Sequence, residues 1–209
     1  MYIKREFEET RLQYLHQLIR DYPLSTFIAM GDDSTFEVNH IPLHLVHTGE
    51  GFGLLQGHIA RANPLTKLLA ADVDVLAIFH GPQAYITPSW YESKISDGKV
   101  VPTWDFAVVH TFGTARLIED PMWLRTHLES MTAESEEKYF SDWRLSDAPE
   151  QFIERMLAVI VGIEIVVNRY YGKWKVSQNQ PQINQKSVIA GLRSKGLHDM
   201  ASLVSNYIT

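Results

Sequence analysis

The stretch GFGLLQGHIARANPLTKLLAADVDVLAIFHGPQAYIT, residues 51–87, decides how the chain is read. Apolar residues alternate with polar or small ones over 53–62, which predicts a strand; Asn63-Pro64 ends it and introduces a short helix over 65–71. Two further apolar, β-branched runs, 73–79 and 84–87, predict strands separated by Gly81-Pro82. The same rhythm continues outward, with strands predicted over 26–30 and 35–40 on one side and a longer one over 104–118 on the other. Gly-Asp-Asp (31–33) and Gly-Glu-Gly (49–51) supply turn signals between them. Short strands at this spacing predict a mostly antiparallel sheet closing into a barrel.

Helices flank this block. Leu12, Leu15, Leu18 and Ile19 share one face of a helix predicted over 8–20, which Pro23 stops. Pro121 opens a helix to about 138, and 148–160 reads as another. Ile163, Ile165 and Val167 mark a late strand over 161–178, expected to pair with the barrel. A last helix covers about 187–206, broken near Gly196. The expected class is therefore α+β, mainly β, as one domain over 1–209 whose C-terminal portion, from about 121, is helical.

Composition narrows the function. At 209 residues, 45% hydrophobic and 21% charged, the chain can bury a sizeable core. With no cysteine it has no disulfide framework, thiolate metal site or cysteine nucleophile, which fits a reducing compartment. The first residues, MYIKREFEETRLQYLHQL, lack an apolar signal core, and the most hydrophobic run, 156–167, carries Glu164 and is too short to span a bilayer. A cytoplasmic location is expected. Net charge is −6, and lysines and arginines are dispersed, so the basic face that a DNA binder uses to neutralise phosphates is not evident.

Four segments could carry chemistry. In GHIARANP (57–64), strand alternation would place Ile59, Arg61 and Asn63 on one face and His58, Ala60 and Ala62 on the other. Small alanines leave room for a bulky group, and Arg61 offers a planar donor fork suited to phosphate. Equally, Arg61 could snorkel from a barrel edge and His58 bond a neighbouring carbonyl. In GPQAYITPSWYESK (81–94), two prolines stiffen a strand exit. Beyond them Ser89, Trp90, Tyr91 and Lys94 could clasp a flat ring and an anionic tail, or plug a barrel end as an aromatic turn. VPTWDF (101–106) repeats the proline, hydroxyl and Trp combination with Thr103 and Trp104. In GKWKVSQN (172–179), Lys173, Lys175 and Ser177 share one face, suited to phosphate or to a protected edge strand.

Nine histidines invite a metal reading. His40 and His44 stand four apart, but Pro42 argues against a helix, and on a strand they share a face that His47 does not. No metal site is expected. There is no Gly-x-Ser-x-Gly elbow, P-loop or Gly-x-Gly-x-x-Gly to support a hydrolase, NTPase or Rossmann reading.

Taken together, Met1-Tyr2-Ile3 with Phe7, His40-Ile41-Pro42, GHIARANP (57–64), IFHGPQAYITPSWYESK (78–94), VPTWDFAVVH (101–110) and GKWKVSQN (172–179) resemble the PaiB family of flavin-binding split-barrel proteins. Its members are often labelled negative transcriptional regulators. The segments run in family order across nearly the whole chain. The resemblance implies a split β-barrel that binds flavin mononucleotide (FMN), as a homodimer with flavin sites between subunits. It implies that Arg61, with Lys94 or Lys175, holds the phosphate, that Ser89, Thr103 and Ser177 supply hydroxyls, and that Trp90, Tyr91 and Trp104 wall the ring. His58 and Asn63 belong to the same candidate set. The chain departs from the family pattern at Asp105, where Asn is commoner, and at KWKV, where Lys-Phe-Lys-Leu is commoner. A carboxylate at 105 near an anionic phosphate would weaken binding.

The expected function is flavin-dependent, with the flavin supplying redox chemistry and the protein supplying position and electrostatics; no catalytic residue stands out. A regulator without turnover, lacking a recognisable DNA-binding motif, is the first alternative. A haem-binding split barrel is the second, with His58, His80 and His198 as nominal axial ligands.

Overall fold

The computed structural model describes residues 1–31, 34–46 and 51–208. His47 and most of both early turn signals (32–33 and 49–50) lie outside the described residues. The elements run β1 (Glu8–Glu9), α1 (Leu12–Asp21), β2 (Leu24–Met30), β3 (Phe36–Pro42), β4 (His44–Val46), β5 (Leu54–Ala60), α2 (Leu65–Leu68), β6 (Val73–Ile86), α3 (Lys94–Asp97), β7 (Thr103–Ile118), α4 (Pro121–Lys138), α5 (Glu150–Ala158), β8 (Ile160–Lys175), α6 (Gln182–Ser194) and α7 (His198–Ser205). The sheet order is β3-β2-β6-β7-β8-β5-β4, with β1 on β8. Every register that the structure defines is antiparallel.

The chain divides into two compact units built from separated segments. One comprises Tyr22–Phe79 and Thr111–Tyr170, the other Met1–Asp21, His80–His110 and Tyr171–Thr209. Strands β6, β7 and β8 each give one part to each unit.

In the first of these, β2 lies between β3 (Leu24↔Pro42 to Met30↔Phe36) and β6 (Thr26↔Ile78 to Ala29↔Val75), and β5 lies between β4 and β8. Strand alternation turns Phe27, Ala29, Leu55, Val75, Ala77 and Phe79 inward. Ile163 and Ile165 on β8 are fully buried as well. Helix α4 starts with Asp120, whose carboxylate accepts from the Met122 amide at 2.9 Å, and with Pro121 at the first helical position. Its Leu124 joins Leu145, Ile153 and Leu157 in a cluster against which Trp123 packs. A β-carbon at Gly162 would come within 2.3 Å of the Trp123 ring. The bare backbone there seats that indole.

In the second unit, β1 pairs with the end of β8 (Glu8↔Lys173, Glu9↔Gly172). Helix α1 buries Leu15, Leu18 and Ile19 of the predicted stripe, while Leu12, at its first position, is exposed. Helices α6 and α7 bury Val188, Ile189, Leu192, Met200, Ala201 and Val204.

Several boundaries differ from the sequence reading. Glu8 and Glu9 form β1 rather than the first turn of α1, because Glu9 accepts from the Arg11 amide and guanidinium. Gly81-Pro82 does not break β6. Gly81 is there for close approach, since a β-carbon would lie 2.8 Å from Leu18 Cδ1 of α1. The terminal helix does break at Gly196 (φ +73°), but its first part starts at Gln182, beyond Pro181. β4 and α3 are too short for periodicity to reveal. Strand β5 ends at Ala60, so alternation does not carry on to Arg61 and Asn63.

Candidate functional site

The eleven candidate positions fall in both units. His58, Arg61 and Asn63 belong to the first; Ser89, Trp90, Tyr91, Lys94, Thr103, Trp104, Lys175 and Ser177 belong to the second.

The second unit contains a connected polar network. β8 delivers Lys175 and β7 delivers Thr103, Trp104 and Asp105. The Lys175 ammonium donates to the Thr103 hydroxyl and to the Trp104 carbonyl (2.7 Å), and lies 3.4 Å from the Asp105 carboxylate. Asp105 is fully buried and its other oxygen accepts from the Ser177 hydroxyl. Burial pushes the Asp105 carboxyl up, against the pull of Ser177 and Lys175. Ser177 sits just past β8 with φ +61°, a left-handed conformation costing on the order of 1 kcal/mol. Its carbonyl accepts from Gln185 Nε2 at 3.3 Å, and Asp105 holds its side chain.

Beside this network stands an exposed aromatic pair. Trp104 is 52% and Tyr85 50% exposed, edge to face at 6.0 Å between ring centres. The Trp104 indole N–H donates to Gln83 Oε1 at 3.1 Å, which fixes its plane. Tyr91 is buried, and its hydroxyl has no partner among the described residues. Burial, then the charge of Asp105, pushes that phenol up.

Ser89 and Trp90 belong to a 3-10 turn, Pro88–Trp90, whose Ser89 amide donates to the Thr87 hydroxyl at 3.2 Å. Trp90 lies flat against α6, where a β-carbon at Gly191 would meet its ring at 2.4 Å. Trp90 is thus committed to packing. Gly191→Ala is expected to dislodge it and destabilise the protein by about 1–3 kcal/mol, read by chemical denaturation. Ser93 exchanges bonds with Asn184, from its amide to Oδ1 (3.0 Å) and from Nδ2 to its hydroxyl (2.9 Å). The exposed Lys94 side chain has no partner among the described residues.

In the first unit Arg61 donates from Nη1 to Glu119 (2.8 Å) and from Nη2 to the Ile160 carbonyl (3.2 Å). Its fork is occupied by the protein. Asn63 Nδ2 donates to Asn39 Oδ1 (2.9 Å), and its own Oδ1 accepts from the Leu65 amide (2.9 Å), opening α2. His58 Nδ1 shares a hydrogen bond with His127 Nε2 at 3.3 Å. Trp123 stacks on His127 at 5.3 Å between ring centres. His44 pairs with Glu134 at 2.5 Å, whereas His40 lies 3.5 Å from the Thr26 hydroxyl. The two histidines end on different strands, because β3 stops at Pro42. Among the described residues no three His, Asp or Glu side chains are grouped to hold a metal. Of the nominal haem ligands, His58 is taken by His127, while His80 and His198 are exposed.

Residues 1–169 match the family described as "Putative FMN-binding domain". The chain belongs to this PaiB-like family of FMN-binding proteins. A 34% identical relative, an uncharacterized protein of Emericella nidulans, matches over 100% of this chain and 96% of its own. The "Protease synthase and sporulation protein PAI 2" of Bacillus subtilis is 28% identical over 93% of this chain and 90% of its own. Among solved structures, the FAD and heme binding protein from Mycobacterium smegmatis superposes with a TM-score of 0.59 at 15% identity, covering 80% of this chain and 73% of its own. The fold is accordingly that of the flavin-binding split barrels, α+β with a large antiparallel sheet. No helix among the described residues is long and apolar enough to cross a membrane.

Sequence reasoning passes over Gln83, Tyr85, Asn184 and Gln185, which orient the candidate residues, and His127, which bonds His58, with Trp123 stacked on it. Only Tyr85 carries a signal, as an aromatic alternating with buried Ala84 and Ile86.

Proposed function

We propose that this protein binds FMN and uses it as a redox cofactor. The observation that carries the reading is the Lys175 ammonium, held on the Thr103 hydroxyl and Trp104 carbonyl beside a half-exposed aromatic pair. A cation fixed before binding loses little side-chain entropy when an anionic group arrives. The exposed rings of Trp104 and Tyr85 suit a flat heterocycle. Together they fit a molecule that is both planar and anionic, as FMN is. Lys175 and Thr103 would hold its anionic part and Trp104 would lie against its ring. Bound flavin supplies electron and hydride transfer, while the chain's own residues bind, orient and set the local charge.

The same reading includes a homodimer. On β2 and β3 the register places Leu24, Ile28 and Met30 beside Pro42, Val38 and Phe36 on one face. Leu24, Met30, Phe36 and Val38 are more than half exposed. A mainly apolar face on an edge ribbon, crossed by the polar Thr26–His40 pair, calls for a cover, and a second copy presents a matching face under two-fold symmetry. Any regulatory role would run through flavin rather than direct duplex contact, given a net charge of −6.

Titration of the purified protein into FMN, followed by flavin fluorescence, tests the reading. Saturable quenching at roughly micromolar concentration or tighter is the expected result. Absence of quenching would remove the flavin assignment. Phe36→Asp with Val38→Asp should turn a dimer into a monomer on light scattering, and a parent that is already monomeric would refute the dimer.

A further inference from the structure

The second unit holds another cleft, of about 510 Å³, lined by Arg11, Tyr14, Trp174, Leu203, Asn206 and Tyr207. It is built around one ion pair. Glu9 is buried (3% exposed) and accepts from the Arg11 amide (2.9 Å), Nε (2.8 Å) and Nη2 (2.5 Å), and from the Tyr207 hydroxyl. Burial alone would push this carboxyl up, but the bonds from Arg11 and Tyr207 hold it below its ordinary value. Glu9 is therefore a fully occupied anion behind Arg11, and it does not line the cleft.

Arg11 spends only one edge on Glu9. Its Nε and Nη2 bond the carboxylate, and Nη2 also donates to the Tyr207 hydroxyl at 3.1 Å. Nη1 has no partner among the described residues, although a guanidinium carries five N–H donors in one plane. That plane lies over the Tyr14 ring at 4.1 Å, with the Tyr207 ring 5.7 Å away. A guanidinium locked this way loses little freedom on binding a second partner. The Glu9–Arg11 pair turns its positive end toward the cleft. The side-chain amide of Asn206, unpartnered among the described residues, adds a donor, and the buried Trp174 (3% exposed) backs the cleft. Leu203 gives an apolar flank.

We infer that this cleft binds a small planar aromatic carboxylate, its carboxylate on the free edge of Arg11 and its ring among Tyr14, Trp174 and Tyr207. A charge-assisted bond to Nη1 supplies the anion preference, and flat aromatic walls favour a flat ring over a puckered one. The inference is independent of where FMN binds.

Calorimetric titration of the full-length protein with benzoate tests it, with benzamide and cyclohexanecarboxylate as neutral and non-planar controls. Benzoate is expected to bind with a dissociation constant of about 1 mM or tighter, and each control at least about tenfold more weakly. Leu203→Trp fills the cleft without touching the ion pair, and should abolish benzoate binding while FMN quenching and melting temperature match the parent. Arg11→Lys keeps the charge beside Glu9 but loses the second edge, and should weaken benzoate at least about tenfold. Heat silence with benzoate at ten times the expected constant overturns the site. So does unchanged binding in both variants, and benzamide binding as tightly as benzoate overturns the anion preference.

Discussion

Lowering the pH from 7 to 5 should cost the protein about 2 kcal/mol of stability through His127 alone. His127 is 3% exposed, and burial, then the neighbouring His58 and His44, pulls its pKa down to about 4 from an ordinary 6.5. Between those values the unfolded chain takes up a proton that the folded imidazole refuses, so stability falls as pH falls through that window. Above 6.5 both states are neutral and the dependence vanishes. Below about 4 both are protonated and the full loss, about 3 kcal/mol, has been reached. Burial lowers His58 too, so the second ring cannot relieve the first by charging. The other neighbour, His44, is paired with Glu134 of α4. His127→Phe keeps a ring against Trp123 and removes the titrating group. Urea denaturation at pH 7 and pH 5 should then show a pH 5 penalty in the parent that is about 2 kcal/mol smaller in the variant. Equal penalties in both proteins would place the acid sensitivity elsewhere.

That histidine pair shows where reading a sequence stops. Strand alternation singles out His58, but its partner lies 69 positions away on a helix, and no local period links the two. Arg61 illustrates a different limit. Its residue type suits phosphate, yet β5 ends one residue earlier, its amide bonds the Val159 carbonyl at 2.8 Å, and Glu119 holds its fork. Alternation describes a residue only while the strand lasts. The elements themselves are largely legible, because burial of a face writes its period into the chain: Phe27 and Ala29, Leu55 and Ile59, and Ile163 and Ile165 are buried as predicted strands require. What the period cannot encode is a close approach. Gly81 resembles a turn signal in sequence, but in the fold it admits Leu18. Motif comparison carries further than periodicity for the family, since it reads spaced identities along the whole chain. It does not say that Trp90 is spent on packing against Gly191 while Trp104 faces outward.

Asp105→Asn and Lys175→Ala should move FMN affinity in opposite directions, each by on the order of tenfold. In the wild-type chain Lys175 brings one positive charge and Asp105, 3.4 Å from it, one negative charge, so little net attraction is left for an anion. The amide introduced by Asp105→Asn would keep an oxygen for the Ser177 hydroxyl while deleting the opposing charge. The same change bears on folding. A buried carboxyl whose pKa is raised stabilises the native state fully only while protonated, and that contribution is lost as pH rises through the folded value. Asp105→Asn should therefore be at least as stable as the parent at pH 7, with the gain shrinking at low pH. Lys175→Ala leaves the Asp105 carboxylate without its cation and should lose stability as well as flavin, so it is compared with Lys175→Arg, which restores the charge. The decisive pattern is tighter binding in Asp105→Asn, weaker binding in Lys175→Ala and recovery in Lys175→Arg. Flavin binding that ignores all three substitutions would leave the FMN reading standing but move its anion site away from β7 and β8.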